Sequence, residues 1–251
     1  NNLVCLHNKY IHMKILVCIS CAPDTTSKIA ISDNSHFNLD GLVYIVGPYD
    51  DYALSRAIEI KESHHAEVVV LHVGNSNSEP LIRKCLALGA DRAVRIDVDP
   101  VDSNHVSLEI SNYVKSNPFD IILLGKETID YGNGLVPSLL AASLDLQVYS
   151  PVQHLSIVDN ILEIEIDTIK GKAILNCEMP VVLGCQEPIA EWKIPNMRGI
   201  MAARSKEIQI INPQIFESDE LLKLELVETK RKGIMIDASM AENLIDLLFN
   251  T

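Results

Sequence analysis

From Lys14 onward, short runs of β-branched and other apolar residues alternate with stretches whose apolar positions recur every three to four residues. That alternation is the pattern of a parallel sheet covered by helices. Residues 15–19 predict a first strand that is apolar throughout. Over 49–64, Ala53, Leu54, Ala57, Ile58 and Lys61 fall at helical spacing, after Pro48 and beside Asp50 and Asp51, whose charges suit a helix start. Residues 67–73 return to the sheet. Leu81, Ile82, Cys85 and Leu86 mark one face of a helix over 80–88, with Pro80 at its first turn and Gly89 as its stop. A strand over 92–96 and a helix over 106–116 follow. The strand over 119–125 carries Ile121, Ile122, Leu123 and Leu124, a run that predicts burial on both faces. A further helix spans 135–144.

After Pro151 the character changes. Residues 152–158, 161–167 and 172–177 read as strands with no helix between them, joined at Asp159-Asn160 and Lys170-Gly171, so an antiparallel meander is expected on the same sheet. Residues 181–184 are one more apolar run, and 186–199 fit neither period. Near the end, Ser239 and Glu242 form a capping-box pair before Leu244, Ile245, Leu247 and Leu248. Residues 1–12 have no apolar stretch of signal-peptide length and are read as a leader or expression remnant before Met13.

Composition narrows the function classes. With 21 Lys and Arg against 34 Asp and Glu, the formal charge of −13 repels phosphate backbones, so nucleic acid is not expected as a partner. No run approaches the 18 apolar residues of a membrane span, and no membrane insertion is expected. Six scattered cysteines in 251 residues suit a reducing compartment better than a disulfide framework, and a cytoplasmic location is expected.

Ligands of open α/β sheets bind beyond the carboxyl ends of the strands, which directs attention to the loops after Ile19, Val73 and Gly125. The loop Gly125-Lys126-Glu127-Thr128-Ile129-Asp130-Tyr131-Gly132-Asn133-Gly134 lies between a buried strand and a helix. Its glycines permit a tight turn, and its amides can converge on a phosphate with help from the helix dipole. An ordinary glycine-rich loop is the alternative at this point. Cys18 and Cys21 make a C-x-x-C without a second ligand pair, which fits a buried strand thiol and a loop thiol better than zinc; no metal site is expected. No Walker A, G-x-S-x-G or H-E-x-x-H pattern occurs, and no catalytic residue is assigned. Residues 186–206 stand apart: Trp192, the only tryptophan, lies near Ile194, Met197, Ile200 and Met201, with Lys193, Arg198, Arg204 and Lys206 interleaved. Trp, Met and Arg are enriched at interfaces, so a docking loop and a cap on the core are both open.

Taken together, five segments resemble the electron-transfer flavoprotein beta-subunit family: Met13-Lys14-Ile15-Leu16-Val17 with Pro23-Asp24, Gly47-Pro48-Tyr49-Asp50, Ala87-Leu88-Gly89-Ala90-Asp91-Arg92, Gly125 to Asp130, and Ile194-Pro195-Asn196-Met197-Arg198-Gly199-Ile200-Met201-Ala202-Ala203-Arg204. The resemblance implies a three-layer Rossmann-like α/β fold of the adenine nucleotide alpha hydrolase type, with the meander and a helical C-terminal tail. It divides the chain into a nucleotide-binding domain over 13–206, including a docking loop at 186–204, and a tail over 207–251 that packs on a partner. It implies an electron carrier without turnover of its own, paired with an alpha subunit that holds FAD. AMP would be buried by Cys18, Gly47, Pro48, Tyr49, Asp50, Val73 and the loop Gly125, Lys126, Glu127, Thr128, Ile129, Asp130, Tyr131, Gly132, Asn133, Gly134, Leu135 and Val136, with Tyr49 near the flavin. Trp192, Ile194, Pro195, Met197 and Arg198 would dock on donors of the acyl-CoA dehydrogenase type, Ile194 as the anchor, and electrons would pass to a quinone-reducing or other acceptor. The chain departs from the family in reading Leu135-Val136-Pro137 where many members read Gln-Val-Gly. Two alternatives go with this reading: a universal-stress-type adenine-nucleotide module, and an electron-bifurcating form with a second FAD in place of AMP.

Overall fold

The computed structural model describes residues 13–33, 36–38, 40–159, 161–214, 233 and 235–249. The leader expected over 1–12 lies outside them, as do residues 215–232, 234 and 250–251 of the expected tail. The chain divides into two units, residues 1–28 with 40–221 and residues 29–39 with 222–251. In chain order the elements are β1 (Lys14–Cys18), β2 (Cys21–Pro23), β3 (Ala30–Asp33), β4 (His36–Asn38), β5 (Tyr44–Val46), α1 (Pro48–His64), β6 (Glu67–Val73), α2 (Glu79–Leu88), β7 (Arg92–Ile96) and α3 (Ser103–Ser116). They continue with β8 (Ile121–Gly125), α4 (Leu135–Leu144), β9 (Gln147–Val158), β10 (Ile161–Thr168), β11 (Gly171–Cys177), β12 (Val181–Cys185), α5 (Met197–Ser205), β13 (Ile208–Ile211) and α6 (Leu244–Phe249).

In the larger unit a nine-stranded sheet runs in the order β11-β10-β9-β12-β8-β1-β6-β7-β13. The pairs from β9 to β13 are parallel, and β9-β10 and β10-β11 are antiparallel. This is the expected mixed, mostly parallel three-layer α/β fold with its meander at one edge. The strand period of two builds the two core layers. Ile15, Val17, Val68 and Val70 point to the side of α1 and α2, with Ala53, Leu54, Ile58, Ile82 and Leu86. Leu16, Cys18, Val69 and Leu71 point the other way, against Ile110 and Tyr113 of α3 and Leu140 of α4.

Local signals set the helix ends. Asp102 accepts from the His105 amide at 2.7 Å and caps α3, and Gly89 leaves α2 at φ 136°. Two differences from the sequence expectation have a common cause. β9 begins at Gln147, because its first residues pair in parallel with β12 (Val181 opposite Gln147) before its later ones join β10. β13, absent from the sequence reading, forms because Ile208 to Ile211 find β7 as a neighbour. Both pairings depend on partners distant in the chain.

In the smaller unit, β3 and β4 pair antiparallel. Farther along, a 3-10 turn over Ala238–Asn243 leads into α6. The helix expected near the end is present, but its cap differs. Asp237 accepts from the Ser239 amide at 2.9 Å and hydroxyl at 2.6 Å, so Asp237 caps this turn where Ser239 was expected to. Among the described residues no helix is long and apolar enough to cross a membrane.

Candidate functional site

Beyond the carboxyl ends of β1, β6 and β8 the larger unit holds a crevice of about 150 Å3, an order of magnitude more than a single water needs. Leu71, Val73, Val106, Ile110 and Leu124 supply apolar wall. Ser20, His72, Asp102, Ser103, Thr128 and Asn133 supply polar groups.

One buried carboxylate joins three elements at the crevice floor. Asp50, in the first turn of α1, accepts from the Ser20 amide at 2.8 Å and hydroxyl at 2.5 Å on Oδ2, and from the Gly125 amide at 2.6 Å on Oδ1. Burial pushes its pKa up to about 6, against the downward pull of those three donors. At neutral pH it is therefore mainly ionised and acceptor-only, as its surroundings require. The charge read from sequence as a helix-start preference also ties β1, α1 and β8 together. Gly47 and Gly125 make room for this knot. A Cβ at Gly47 would run into the Ser20 hydroxyl and the Asp50 carboxylate, and one at Gly125 would lie 2.7 Å from both Asp50 Oδ1 and Tyr49 Cβ.

The loop after β8 turns back through left-handed backbone at Gly132 (φ 60°) and Gly134 (φ 58°), where glycine carries no steric penalty. The Gly132 amide donates to Thr128 O at 2.8 Å. Asn133 donates to Ser103 Oγ at 3.0 Å and accepts from the Leu135 amide at 3.3 Å, which fixes the loop against α3. α4 follows Gly134, which has no side chain to cap it, so the Asn133 side chain meets the Leu135 amide instead; no acidic residue stands in its first turn, and Gly134 to Pro137 line the crevice. A helix start with no acidic residue in its first turn favours an anion. Nearby carboxylates are engaged elsewhere: Glu127 with Lys126 at 3.5 Å, Asp102 with the α3 cap, Asp130 with the Tyr131 amide at 2.9 Å.

Of the residues singled out in the sequence, Cys18, Asp50, Val73, Gly125, Glu127, Thr128, Asp130, Tyr131, Asn133, Gly134, Leu135 and Val136 line the crevice together. Gly47, Pro48, Tyr49, Lys126, Ile129 and Gly132 are not among its lining residues; Tyr49 instead stacks beneath Lys126, whose Nζ is 4.8 Å from the ring centroid. Ser20, Cys21, His72, Pro100, Asp102 and Ser103 line it and were missed. His72 had a usable signal, the only polar residue in the otherwise apolar run 68–73. Its Nδ1 donates to Ile19 O at 2.9 Å; burial above all, helped by the nearby Arg95 guanidinium, holds its pKa down against that hydrogen bond and favours the neutral ring. Burial, with the Asp50 charge beside it, pushes the thiols at the site up, Cys18 well above the usual thiol range and Cys21 up to about 12, which disfavours their thiolate forms. Among the described residues no group of three His, Cys, Asp or Glu could hold a metal.

The segment leading to α5 is fixed at its back and bare at its front. Ile189 is buried in the core, the Trp192 indole donates to Asp51 Oδ2 at 3.2 Å, and Lys193 sits 3.9 Å from both Glu59 and Glu62. Asn196 caps α5 by accepting from the Gly199 amide at 2.8 Å, and Arg83 donates to Ala203 O at 2.6 Å and Lys206 O at 3.0 Å. Ile194, Met197 and Met201 are 73%, 72% and 65% exposed, so the apolar side chains of this segment do not all serve the core.

The model of the electron transfer flavoprotein domain matches residues 36–215, a stretch containing both the loop after β8 and the segment around α5. The chain belongs to the electron transfer flavoprotein family, as a beta subunit. It is 31% identical to the electron transfer flavoprotein subunit beta of Bacillus subtilis over 94% of this chain and 96% of that one. With the subunits beta of Syntrophomonas wolfei and Homo sapiens the identities are 30% and 24%, over 90% and 87% of this chain and 90% and 88% of theirs.

Electron transfer flavoprotein beta subunits are electron carriers, and the family implies association with a flavin, a nucleotide and an alpha subunit. The crevice lining combines apolar and polar groups. It offers apolar wall against which a base could lie, hydroxyl and amide groups that could meet a sugar, and a helix start without an acidic residue that could face a phosphate.

Proposed function

We propose that this chain is the beta half of a flavoprotein heterodimer that holds AMP in the crevice as a structural ligand and helps enclose an FAD bound mainly by the alpha subunit. The observation that supports this most is the meeting of a glycine-turned loop, the start of α4 with no acidic residue in its first turn, and an apolar slot at the carboxyl ends of β1, β6 and β8. Val73, Val106 and Ile110 would hold the base by exclusion of water. The amides at the start of α4 and the Thr128 hydroxyl would hold the phosphate. Pro137, at the third position of the helix, removes one N–H from that set, which favours a single phosphate over a diphosphate. The FAD, when bound, supplies the electron-accepting group; Tyr49, held by Lys126, would shield it from solvent. The tail over 207–251 would pack on the alpha subunit.

The test is extraction of nucleotides from the purified complex. One FAD and one AMP per heterodimer are expected; two FAD, or FAD alone, would overturn the assignment of the crevice.

The exposed Ile194, before Pro195-Asn196, would anchor a dehydrogenase donor of the acyl-CoA type, with Met197 and Arg198 beside it. Ile194→Ala removes apolar contact worth about 1.5–3 kcal/mol when fully buried. The variant is therefore expected to raise the KM for the donor by roughly tenfold or more, with flavin content and heterodimer formation unchanged. Unaltered steady-state kinetics would remove Ile194 from that role.

A further inference from the structure

Asp51 is the least expected residue on the buried face of α1. It is 6% exposed, packed where Ala53, Leu54 and Ala57 build the apolar core, and yet it carries a carboxylate. Its polar partners come from two other elements. Oδ2 accepts from Lys84 Nζ of α2 at 3.1 Å and from the Trp192 indole N–H at 3.2 Å. Lys84 Nζ also lies 5.7 Å from the Trp192 ring centroid, within reach of a cation–π contact. The other oxygen, Oδ1, is buried and has no hydrogen-bond partner among the described residues.

With Asp51 buried and the Lys84 side chain about one-third open to solvent, this ion pair contributes at most about 1 kcal/mol, and the orphaned oxygen subtracts from it. Stability therefore does not account for a carboxylate here. Geometry does, because a single oxygen fixes both the ammonium and the indole, and the indole belongs to the segment that presents Ile194. Trp192 itself is 54% exposed, so without that bond its ring would have rotamers open to it in solvent.

We propose that Asp51 is a positioning residue for the docking segment: with Lys84 it clamps the Trp192 indole, holding 190–196 in the binding conformation before a donor arrives. This rests on the docking reading of Ile194 given above and extends it to residues that touch no donor. Preorganisation of a side chain and its loop lowers the ordering cost of association. Its loss is expected to appear in encounter affinity and not in the electron-transfer step.

The test uses the intact heterodimer with an acyl-CoA dehydrogenase as donor. Asp51→Ala and Trp192→Phe are each expected to raise the KM about three- to tenfold with kcat held. The double variant is expected to be no worse than the poorer single one, because both changes break the same clamp. Hydrogen exchange at amides 190–196, followed by mass spectrometry in the complex without donor, is expected to speed up in each variant. KM increases that multiply in the double variant, or exchange that stays at the parental rate, would overturn the clamp. Should Asp51→Ala fail to accumulate, Trp192→Phe carries the exchange measurement, since a half-exposed ring is replaced by a smaller ring.

The same experiment separates the clamp from the docking reading. Faster exchange with an unchanged KM in the clamp variants and in Ile194→Ala keeps the clamp and removes the docking role. A raised KM in Ile194→Ala alone, with parental exchange in the clamp variants, keeps docking and removes the clamp.

Discussion

Gly125→Ala is expected to destabilise the chain by about 1–3 kcal/mol, the usual range for overfilling a packed site, and to lower the nucleotide content of the complex. The added methyl would lie 2.7 Å from Tyr49 Cβ and from Asp50 Oδ1, and 3.2 Å from the Asp50 amide. Neither Tyr49 Cβ nor that amide can swing away as the end of a long side chain can, so the start of α1 has to shift as a body. That shift stretches the 2.6 Å bond from the Gly125 amide to Asp50. It loosens the tie between α1, β1 and β8 and thereby the crevice floor. Urea denaturation read by circular dichroism gives the stability loss, and nucleotide extraction gives the occupancy. A variant with parental midpoint and full nucleotide content would show that α1 does not approach β8 this closely.

Gly199→Ala tests the seating of α5 and has two opposed contributions. Alanine is better than glycine in a helix by up to about 1 kcal/mol, so an isolated helix would gain. In the folded chain, however, the new Cβ would overlap the carbonyl oxygen of Ala87 and lie 3.2 Å from its carbon. Ala87 is inside α2, and its backbone yields only if the helices separate. The overlap is the larger effect, about 3 kcal/mol at the upper end of overpacking costs, and a net loss of about 2 kcal/mol is expected. Separation would also pull Ala203 and Lys206 from Arg83 and move Met197 and Met201 from their present positions. A lower denaturation midpoint together with a higher KM for the donor is the expected result. A more stable variant would mean that propensity outweighs contact and that α5 is not seated on α2 at this glycine.

These two glycines show what kind of information the sequence carries. Both stand in motifs that marked the family, but nothing in a linear reading says why a methyl group is excluded. At Gly125 the excluding atoms belong to residues 49 and 50, and at Gly199 to residue 87. The same holds for Asp50 and Asp51. They look alike in sequence as an acidic pair at a helix start, yet one faces Ser20 and Gly125 and the other faces Lys84 and Trp192. His72 and Asp102 reached the crevice unannounced because one is a single polar residue in an apolar strand and the other a helix cap. Each has an ordinary structural reading until the fold brings it beside the loop after β8.

The alternation of apolar runs with helical periodicity was sufficient, without coordinates, to assign the layered α/β class, the buried central strands and the change to a meander after Pro151. Those features follow from local periods of two and 3.6 residues, which are written along the chain. The loop and docking motifs were sufficient to indicate the family. Only the tertiary structure decided that β9 is shared between two pairings, that β13 joins the sheet, and which of two adjacent aspartates meets Ser20 and Gly125 at the crevice and which meets Lys84 and Trp192. Those outcomes depend on contacts between residues far apart in the chain, and such contacts leave no periodic trace in the sequence.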